Sequence, residues 1–374
     1  MRIVYLAPDP VDAPKGASVR IARTVQTLRD LGHDVEAFTP PADAGGPGNF
    51  LERMLAFRAE AAGWLAGRRA DVVQFRSIWE GVPAVAWARR TGARAVFEAH
   101  GFPSVELGYH FPALTRRGRA LDKIIAEERQ VLEGSHAVHV PSLTTARFVR
   151  RLGVPAARIH VIPNAVDPDL FSPPAVPPPD EPPIRVVYLG TLSPWQGLAT
   201  LLEALALRGG TAGVELHVVG PLKGAWARAL RAHARALRVH HALHLSGPVA
   251  QADVAPILRT AHACVAPLAD DARNTLQGCC PIKLLEYMAA GRPILATRLP
   301  VVEEILEHGV TGHLVPPGSA AALAGGLRWM LAHPAEREAL GVRARAAALA
   351  RWTPEDFRRR LARALAPAGA VGVA

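Results

Sequence analysis

Short apolar runs alternate with amphipathic stretches along both halves of the chain. The runs, each of which predicts a buried strand, lie at residues 3–6, 35–38, 71–76, 95–98 and 138–141 and again at 185–189, 214–219, 243–246, 263–268 and 294–297. Between them, residues 18–31 and 84–91 have the pattern of helices, the first with Ile21, Val25 and Leu28 on one side. Such strand–helix–strand repeats predict parallel sheets with right-handed connections.

A proline-rich segment separates the two halves. Residues 172–183 read Ser-Pro-Pro-Ala-Val-Pro-Pro-Pro-Asp-Glu-Pro-Pro, and this density of proline prevents helix and central strand. A chain of 374 residues, at roughly 150 residues per domain, is expected to form two domains. We therefore predict a first domain over residues 1–171, a linker over 172–183 and a second domain over 184–352.

One short helix of the second half, residues 281–290, carries the candidate chemistry. Pro281 suits its first position, Gly291 suits the residue after its last turn, and Pro293 prevents continuation. The helix is predicted to have an apolar side formed by Ile282, Leu285 and Ala289. Its polar side is predicted to consist of Lys283, Glu286 and Tyr287.

Lys283 lies in the first turn of this helix, where unpaired N–H groups already form a positive pole. A cation is unfavourable there unless an anion lies beside it, and a helix N-terminus with a lysine commonly binds phosphate. Glu286, one turn further, can accept hydrogen bonds from sugar hydroxyls. The alternative is a solvated Lys283–Glu286 pair, which is ordinary on helix surfaces.

Composition restricts the class of protein. Apolar residues make up 49% of the chain, but no uninterrupted apolar run reaches the ~20 residues of a membrane span, so we expect a cytoplasmic globular protein. The net charge is +10, yet aromatic residues are few and are not interleaved with the basic clusters, which argues against nucleic acid partners. The basic segment with Arg116, Arg117, Arg119 and Lys123 is interpreted as a solvated face, with peripheral contact to an anionic membrane at its inner face as the alternative.

The three cysteines, Cys264, Cys279 and Cys280, lack the number and spacing of a disulfide framework or a zinc site. No motif for a nucleophilic serine or cysteine is found. We therefore expect neither a metal nor a cofactor.

Two motifs connect the chain to a known family. Pro281-Ile-Lys-Leu-Leu-Glu-Tyr-Met-Ala-Ala-Gly-Arg-Pro closely resembles the C-terminal signature of glycosyltransferase family 4, and Ile159-His-Val-Ile-Pro-Asn-Ala-Val-Asp is similar to a second family motif. The resemblance implies the GT-B fold, an α/β architecture of two Rossmann-like domains facing each other across a cleft, with a terminal helix at 353–366 packing back on the first. It also implies retaining, metal-independent transfer from a nucleotide diphospho-sugar, most commonly a UDP-sugar, to an acceptor that is a small molecule, a glycan or lipid-linked.

The resemblance assigns roles to several residues. Glu286 is implied to bind the ribose hydroxyls, and Gly16, after the first strand, to face the acceptor and the transferred phosphate. Gly190 begins a strand-to-helix loop suited to a diphosphate. His100 matches a family histidine that contacts the transferred sugar, and its neutral imidazole can donate to a sugar hydroxyl. Further candidates to line the acceptor pocket are Glu98, Glu106 and Tyr109.

Three family positions differ in this chain. Gly278 replaces a carboxylate, and Thr191 and Gln196 replace an arginine and a lysine that neutralise the departing diphosphate. Losing both cations should cost several kcal/mol of leaving-group stabilisation unless others replace them. We hypothesise that Arg273 and Lys283 do so, which makes them, with His100, the candidate catalytic residues.

Recognition of the sugar hydroxyls without the carboxylate is left to the backbone amides of residues 278–280, to Asn274 or to Gln277, and these alternatives stay open. The candidate substrate-binding residues are Gly16, Gly190, Gln196, Asn274, Gly278, Cys279 and Glu286. An epimerase or phosphorylase on the same fold, and a catalytically weak subunit that binds the nucleotide-sugar, are the alternative functions.

Overall fold

The computed structural model describes residues 1–11, 16–41, 49–111, 118–174, 176, 178–207, 213–222 and 224–366. Arg116 and Arg117, named above for membrane contact, lie outside this range. Across the described residues, every helix is too short or too polar to cross a membrane. The chain divides into two compact units.

The first unit comprises Met1–Pro163, the tripeptide Gln277–Cys279 and the chain from Phe357 onward. Its strands are β1 (Arg2–Leu6), β2 (Asp34–Phe38), β3 (Val72–Phe75), β4 (Arg94–Glu98), β5 (Ala137–Val140) and β6 (Ile159–Val161). Its helices are α1 (Gly16–Asp30), α2 (Phe50–Ala66), α3 (Ile78–Thr91), α4 (Pro103–His110), α5 (Arg119–Gly134) and α6 (Leu143–Arg151). The strands form one parallel sheet in the order β2-β1-β3-β4-β5-β6.

The centre of this sheet is buried, as its continuous apolar runs predict. Every residue of β3 is buried, and Phe75 stacks on Phe97 of β4 with ring centroids 5.3 Å apart. Trp79 and Trp87 of α3 belong to the same core. Burying large side chains of this kind stabilises the fold by about 1.5–3 kcal/mol each.

The structure contains elements that the sequence analysis did not predict, among them strands β6 and β12 and helix α2, and it moves the start of α3. The pattern predicts no helix over Phe50–Ala66, where only Phe57, Ala61 and Leu65 are buried and the amphipathic signal is weak. The helix predicted from residue 84 begins at Ile78, because Ser77 and Glu80 form a capping box ahead of it.

The second unit comprises Asn164–Leu276 and Cys280–Asp356. Its strands are β7 (Ile184–Leu189), β8 (Val214–Val219), β9 (Leu243–Ser246), β10 (Ala263–Ala266), β11 (Ile294–Thr297) and β12 (His313–Val315). Its helices are α7 (Leu198–Ala206), α8 (Ala225–Ala236), α9 (Gln251–Arg259), α10 (Ile282–Ala289), α11 (Pro300–Glu303), α12 (Ala320–Ala332) and α13 (Pro334–Arg351), and α14 (Pro354–Leu365) continues into the first unit. These strands also form a parallel sheet, in the order β12-β11-β10-β7-β8-β9.

The proline-rich segment is anchored to the second unit. Asp180 Oδ1 accepts a hydrogen bond from Arg337 Nη2 at 2.8 Å, and the Pro179 carbonyl accepts one from His262 Nε2 at 2.9 Å. The two units meet in the chain at Pro163 and Asn164, ahead of the segment that the sequence identifies as the linker. The domain limits given above stay a prediction.

Helix α10 is more deeply packed than its sequence pattern predicts. Every residue after the first is buried, including Tyr287, which the prediction placed on the polar side. Its hydroxyl is satisfied inside the core because it accepts from the Leu189 N–H at 2.8 Å. Pro281 is the N-cap, with φ −67° and ψ 107°, rather than the first helical residue, and Ile282 is only half-buried. The prediction was wrong on these points.

Candidate active site

Lys283 extends from the first turn of α10 to the loop that follows β7. Its Nζ donates to Gln196 Oε1 at 2.6 Å and lies 3.9 Å from the centre of the Tyr188 ring. The residue is 9% exposed. A hydrogen bond and an aromatic face therefore hold this ammonium group at one position.

The loop after β7 leaves space for the ammonium group. Gly190 has φ 130°, and a Cβ atom there would lie 3.1 Å from Lys283 Nζ. The 3-10 turn Pro194–Gln196 then brings Gln196 alongside. Gln196 replaces a family lysine, and in this protein its side chain holds a lysine that comes from another element.

Arg273 is the second candidate cation. It opens a five-residue π-helix, Arg273–Gln277, a rare element that often occurs at functional sites. Its Cζ lies 5.2 Å from the centre of the Trp195 ring. Trp195 and Gln196 are consecutive, so one short turn contacts both residues proposed to replace the missing family cations.

Glu286 is buried one turn after Lys283, and its Oε1 accepts from Gln251 Nε2 at 2.8 Å. Gln251 is the first residue of α9. This contact sets the orientation of the carboxylate implied to bind ribose. The sequence carries no signal for Gln251, since it lies 35 residues from its partner.

Asn274 braces the loops around the two cations. It is fully buried, and its Nδ2 donates to the carbonyls of Trp195 and Ala269, both at 2.8 Å. Both amide hydrogens are used on the backbone. The side chain of Asn274 therefore braces these loops, and its predicted contact with substrate stays a prediction.

Gln277 belongs to the first unit, where its side chain joins the loop after His100 to α4. Its Oε1 accepts from the Phe102 N–H at 3.0 Å, and its Nε2 donates to Glu106 Oε1 at 2.8 Å. The residue is fully buried. Its amide is thus committed to the protein, which removes it from the open alternatives for sugar recognition.

Gly278 is held against the start of α6. It has φ 81°, and a Cβ atom would lie 2.8 Å from both the N and the Oγ1 atoms of Thr145. A side chain cannot be added without moving the backbone. The local structure therefore leaves no room for the family carboxylate at this position. The next residue, Cys279, is half-buried.

A buried carboxylate organises the strand ends of the first unit. Glu98 Oε1 accepts from Arg20 Nε at 2.8 Å and from Arg76 Nη1 at 3.3 Å. Its Oε2 accepts from the Tyr5 hydroxyl at 2.9 Å and from Gln74 Nε2 at 3.1 Å. Burial alone would raise the pKa of Glu98, but the two guanidinium groups hold it well below its usual range. Glu98 is fully buried and ionised, so it does not line an acceptor pocket as predicted.

His100 is the exposed member of this group. Its Nε2 lies 2.8 Å from Glu98 Oε1, and its side chain is 20% exposed. Burial and the nearby Arg76 lower its pKa to about 4, although Glu98 acts in the opposite direction. Because an ionised carboxylate only accepts, we infer that the neutral ring carries its proton on Nε2. Its other nitrogen, Nδ1, is then an acceptor, so a sugar hydroxyl would donate to the ring, the reverse of the expectation from sequence.

The remaining members of the Glu98 group are Tyr5, Gln74 and Arg76, which the sequence analysis did not identify. A signal existed, because Gln74 and Arg76 are polar residues within the apolar run 71–76.

Gly16 is the exposed first residue of α1, and residues 12–15 of its loop lie outside the described residues. Its proposed contact with the acceptor stays a prediction.

Family models match both halves of the chain. Residues 14–170 match the model described as Glycosyltransferase Family 4, and residues 183–333 match the model described as Glycosyl transferases group 1. Among curated relatives, the D-rhamnosyltransferase WbpZ of Pseudomonas aeruginosa is 31% identical over 161 residues, which are 43% of this chain but only 39% of that protein. The phosphatidyl-myo-inositol mannosyltransferase of Mycobacterium leprae is 28% identical over 363 residues, covering 90% of this chain and 89% of that protein.

Solved structures share the fold over nearly the whole chain. The sucrose-phosphate synthase of Thermosynechococcus elongatus has a TM-score of 0.80 at 19% identity and covers 97% of this chain and 98% of its own. The Anabaena protein HepE, in complex with UDP-glucose, has a TM-score of 0.73 at 19% identity and covers 98% and 99%. At these identities the likeness shows the GT-B fold.

Proposed function

Because this chain belongs to the family 4, group 1 glycosyltransferases, we propose that it transfers a sugar from a nucleotide diphospho-sugar to an acceptor with retained configuration and without a metal. A UDP-sugar is the proposed donor, supported by the UDP-glucose complex of HepE. The phosphatidyl-myo-inositol mannosyltransferase relative makes a lipid-linked acceptor the first class to test, and peripheral membrane contact goes with it.

The observation that carries the proposal is the fixed ammonium group of Lys283. A diphosphate that leaves the sugar develops negative charge, and a cation already in place stabilises it without reorganisation. Lys283 meets that requirement because Gln196, at the position of the missing family lysine, orients it from 2.6 Å. Arg273, against the neighbouring Trp195, would supply the second charge.

Glu286 and His100 complete the assignment. Glu286, oriented by Gln251, would accept the ribose hydroxyls. His100 would accept a hydrogen bond from a hydroxyl of the transferred sugar through Nδ1, since Glu98 holds its Nε2–H. In a retaining transfer of this kind, the leaving phosphate takes the proton of the acceptor on the same face, and no pair of catalytic carboxylates is needed.

Release of nucleoside diphosphate from a panel of UDP- and GDP-sugars, with and without lipid-linked acceptors, tests this function. We expect release that depends on the acceptor and a product whose anomeric configuration, measured by NMR, matches that of the donor. Rearranged free sugar nucleotide would indicate an epimerase. Tight binding of the donor without turnover would indicate the nucleotide-sugar-binding subunit, an alternative that the changes at Gly278, Thr191 and Gln196 favour.

A further inference from the structure

Three side chains with metal-binding groups, none of them given a role above, meet on one face of β8 and β9. Glu215 and His217 are two residues apart on β8 and therefore point to the same face. His217 pairs in register with His244 of β9, which is the edge strand of its sheet. The topology thus brings one carboxylate and two imidazoles together.

The distances between these groups are short. Glu215 Oε2 lies 3.3 Å from His217 Nε2 and 3.6 Å from His244 Nε2. The two rings are stacked, with centroids 4.5 Å apart and an angle of 17° between their planes. Within the described part of the chain, one ligand atom from each of the three residues lies within 4.8 Å of the other two.

The site is open to solvent. The side chains of Glu215, His217 and His244 are 35%, 21% and 44% exposed, so an ion could reach all three and keep water in its remaining positions. Two imidazole nitrogens and a carboxylate oxygen are typical ligands of Zn²⁺, and of Co²⁺ and Ni²⁺ to a similar degree. Arg185, the register neighbour of Glu215 on β7, carries a positive charge that would repel the ion.

We propose that Glu215, His217 and His244 bind a divalent transition metal ion of the zinc class and that the ion ties edge strand β9 to β8. The site is structural and takes no part in sugar transfer. The sequence analysis expected no metal because the cysteines lack ligand spacing. It did not consider that the Glu-x-His of β8 lies beside a histidine of a strand 27 residues further on.

Calorimetric titration of the untagged full chain with ZnCl₂ tests the proposal. We expect one ion per chain in the wild type and an affinity at least tenfold lower in His217→Ala and in His244→Ala. His240→Ala is the matched control, because His240 is an exposed histidine four residues before His244 that lies outside the cluster. Far-UV circular dichroism verifies that each variant is folded.

Two further variants separate a metal site from a cluster that only shares protons. Glu215→Gln keeps the shape of the side chain but removes the negative charge, so it should weaken zinc binding. Arg185→Ala removes a positive charge that repels the ion, so it should strengthen zinc binding. Zinc should raise the thermal unfolding midpoint of the wild type and not that of His217→Ala. The proposal is overturned if the wild type binds no zinc, if His217→Ala and His244→Ala bind it as well as the wild type does, or if His240→Ala loses as much affinity as they do.

Discussion

His100 stays neutral because burial and, to a lesser extent, the guanidinium groups of Arg76 and Arg20 lower its pKa. Its pKa of about 4 is below that of an exposed histidine, near 6.5. Between these two pH values the unfolded chain binds more protons at this site than the folded chain does. The contribution of this residue to stability is therefore fully present above about pH 6.5 and is lost as the pH falls towards 4.

Nitrogen NMR of histidine-labelled protein measures this directly. We expect His100 to keep a protonated Nε2 and an unprotonated Nδ1 from pH 8 down to about 5, and to gain its second proton only near pH 4. The transfer rate should accordingly show no step from this residue between pH 5.5 and 8. A ring that titrates near pH 6.5, or one protonated on Nδ1, would contradict the assigned tautomer.

Substitution of Gly278 tests whether the local structure leaves room for a side chain at this position. Gly278→Ala should lower the unfolding midpoint more than Gly92→Ala does. Both glycines have left-handed φ angles, 81° and 77°, but a Cβ atom at Gly92 meets nothing within 4 Å. Strain alone should cost about 1 kcal/mol or more at either site, and Gly278 adds the contact with Thr145. Thermal unfolding followed by circular dichroism compares the two, and equal midpoints would show that the position is open.

Residues with local chemical signals could be predicted. Lys283 was singled out because a cation is unusual at a helix start, and His100 because it follows a strand end and matches a family histidine. Their roles stay predictions. The roles of Asn274 and Gln277 could not be predicted, since their partners are main-chain and side-chain groups that only the fold brings near. The proton position on His100 likewise depends on Glu98 being ionised by two distant arginines.

At the level of elements, α3 begins where two side chains cap it. Glu80 Oε1 accepts from the Ser77 N–H at 2.7 Å, and the Ser77 hydroxyl contacts the same carboxyl and accepts from the Trp79 N–H. Burial raises the pKa of Glu80 to about 7. Its contribution to stability is thus present below about pH 4.5 and is lost as the pH rises through 7.

Replacing Ser77 by alanine should destabilise the protein by about 1–2 kcal/mol at pH 7, because the helix loses its cap and a buried carboxyl loses a partner. Asn49→Ala, which removes the equivalent cap from α2, is the control. It should cost less, since the Asn49–Glu52 pair is exposed to water. Urea unfolding of both variants gives the comparison, and a smaller loss for Ser77→Ala would contradict this account of α3.

Element prediction succeeded for strands with a clear apolar run and failed for short ones. The ten predicted strands were confirmed and belong to two parallel sheets. Strands β6 and β12 were not predicted, because three residues are too few to form a distinct apolar run. Helix α2 buries only a narrow face, and the signals that were present in the sequence for α2 and α3, the capping pairs Asn49–Glu52 and Ser77–Glu80, were not recognised.

On the scale of the whole molecule, the repeated alternation of strand and helix predicted two domains with parallel sheets, and the resemblance to glycosyltransferase family 4 implied the GT-B fold. It could not predict that residues Gln277–Cys279, from the second half, cluster with the first unit. That placement depends on the Gln277 amide and on the absence of a side chain at Gly278. Gly278, which stands where the family has a carboxylate, therefore belongs to the same unit as the His100 loop.

The central claim is that Lys283 stabilises a leaving diphosphate, and the turnover of Lys283→Ala tests it most directly. The matched control is Arg228→Ala, which removes an exposed cation of α8 that has no assigned role. With a donor that supports release, we predict that Lys283→Ala lowers kcat by about 10²–10³, the range found when one electrostatic contact to a transition state is lost. Arg228→Ala should keep wild-type turnover. An unchanged kcat in a folded Lys283→Ala protein would contradict the account.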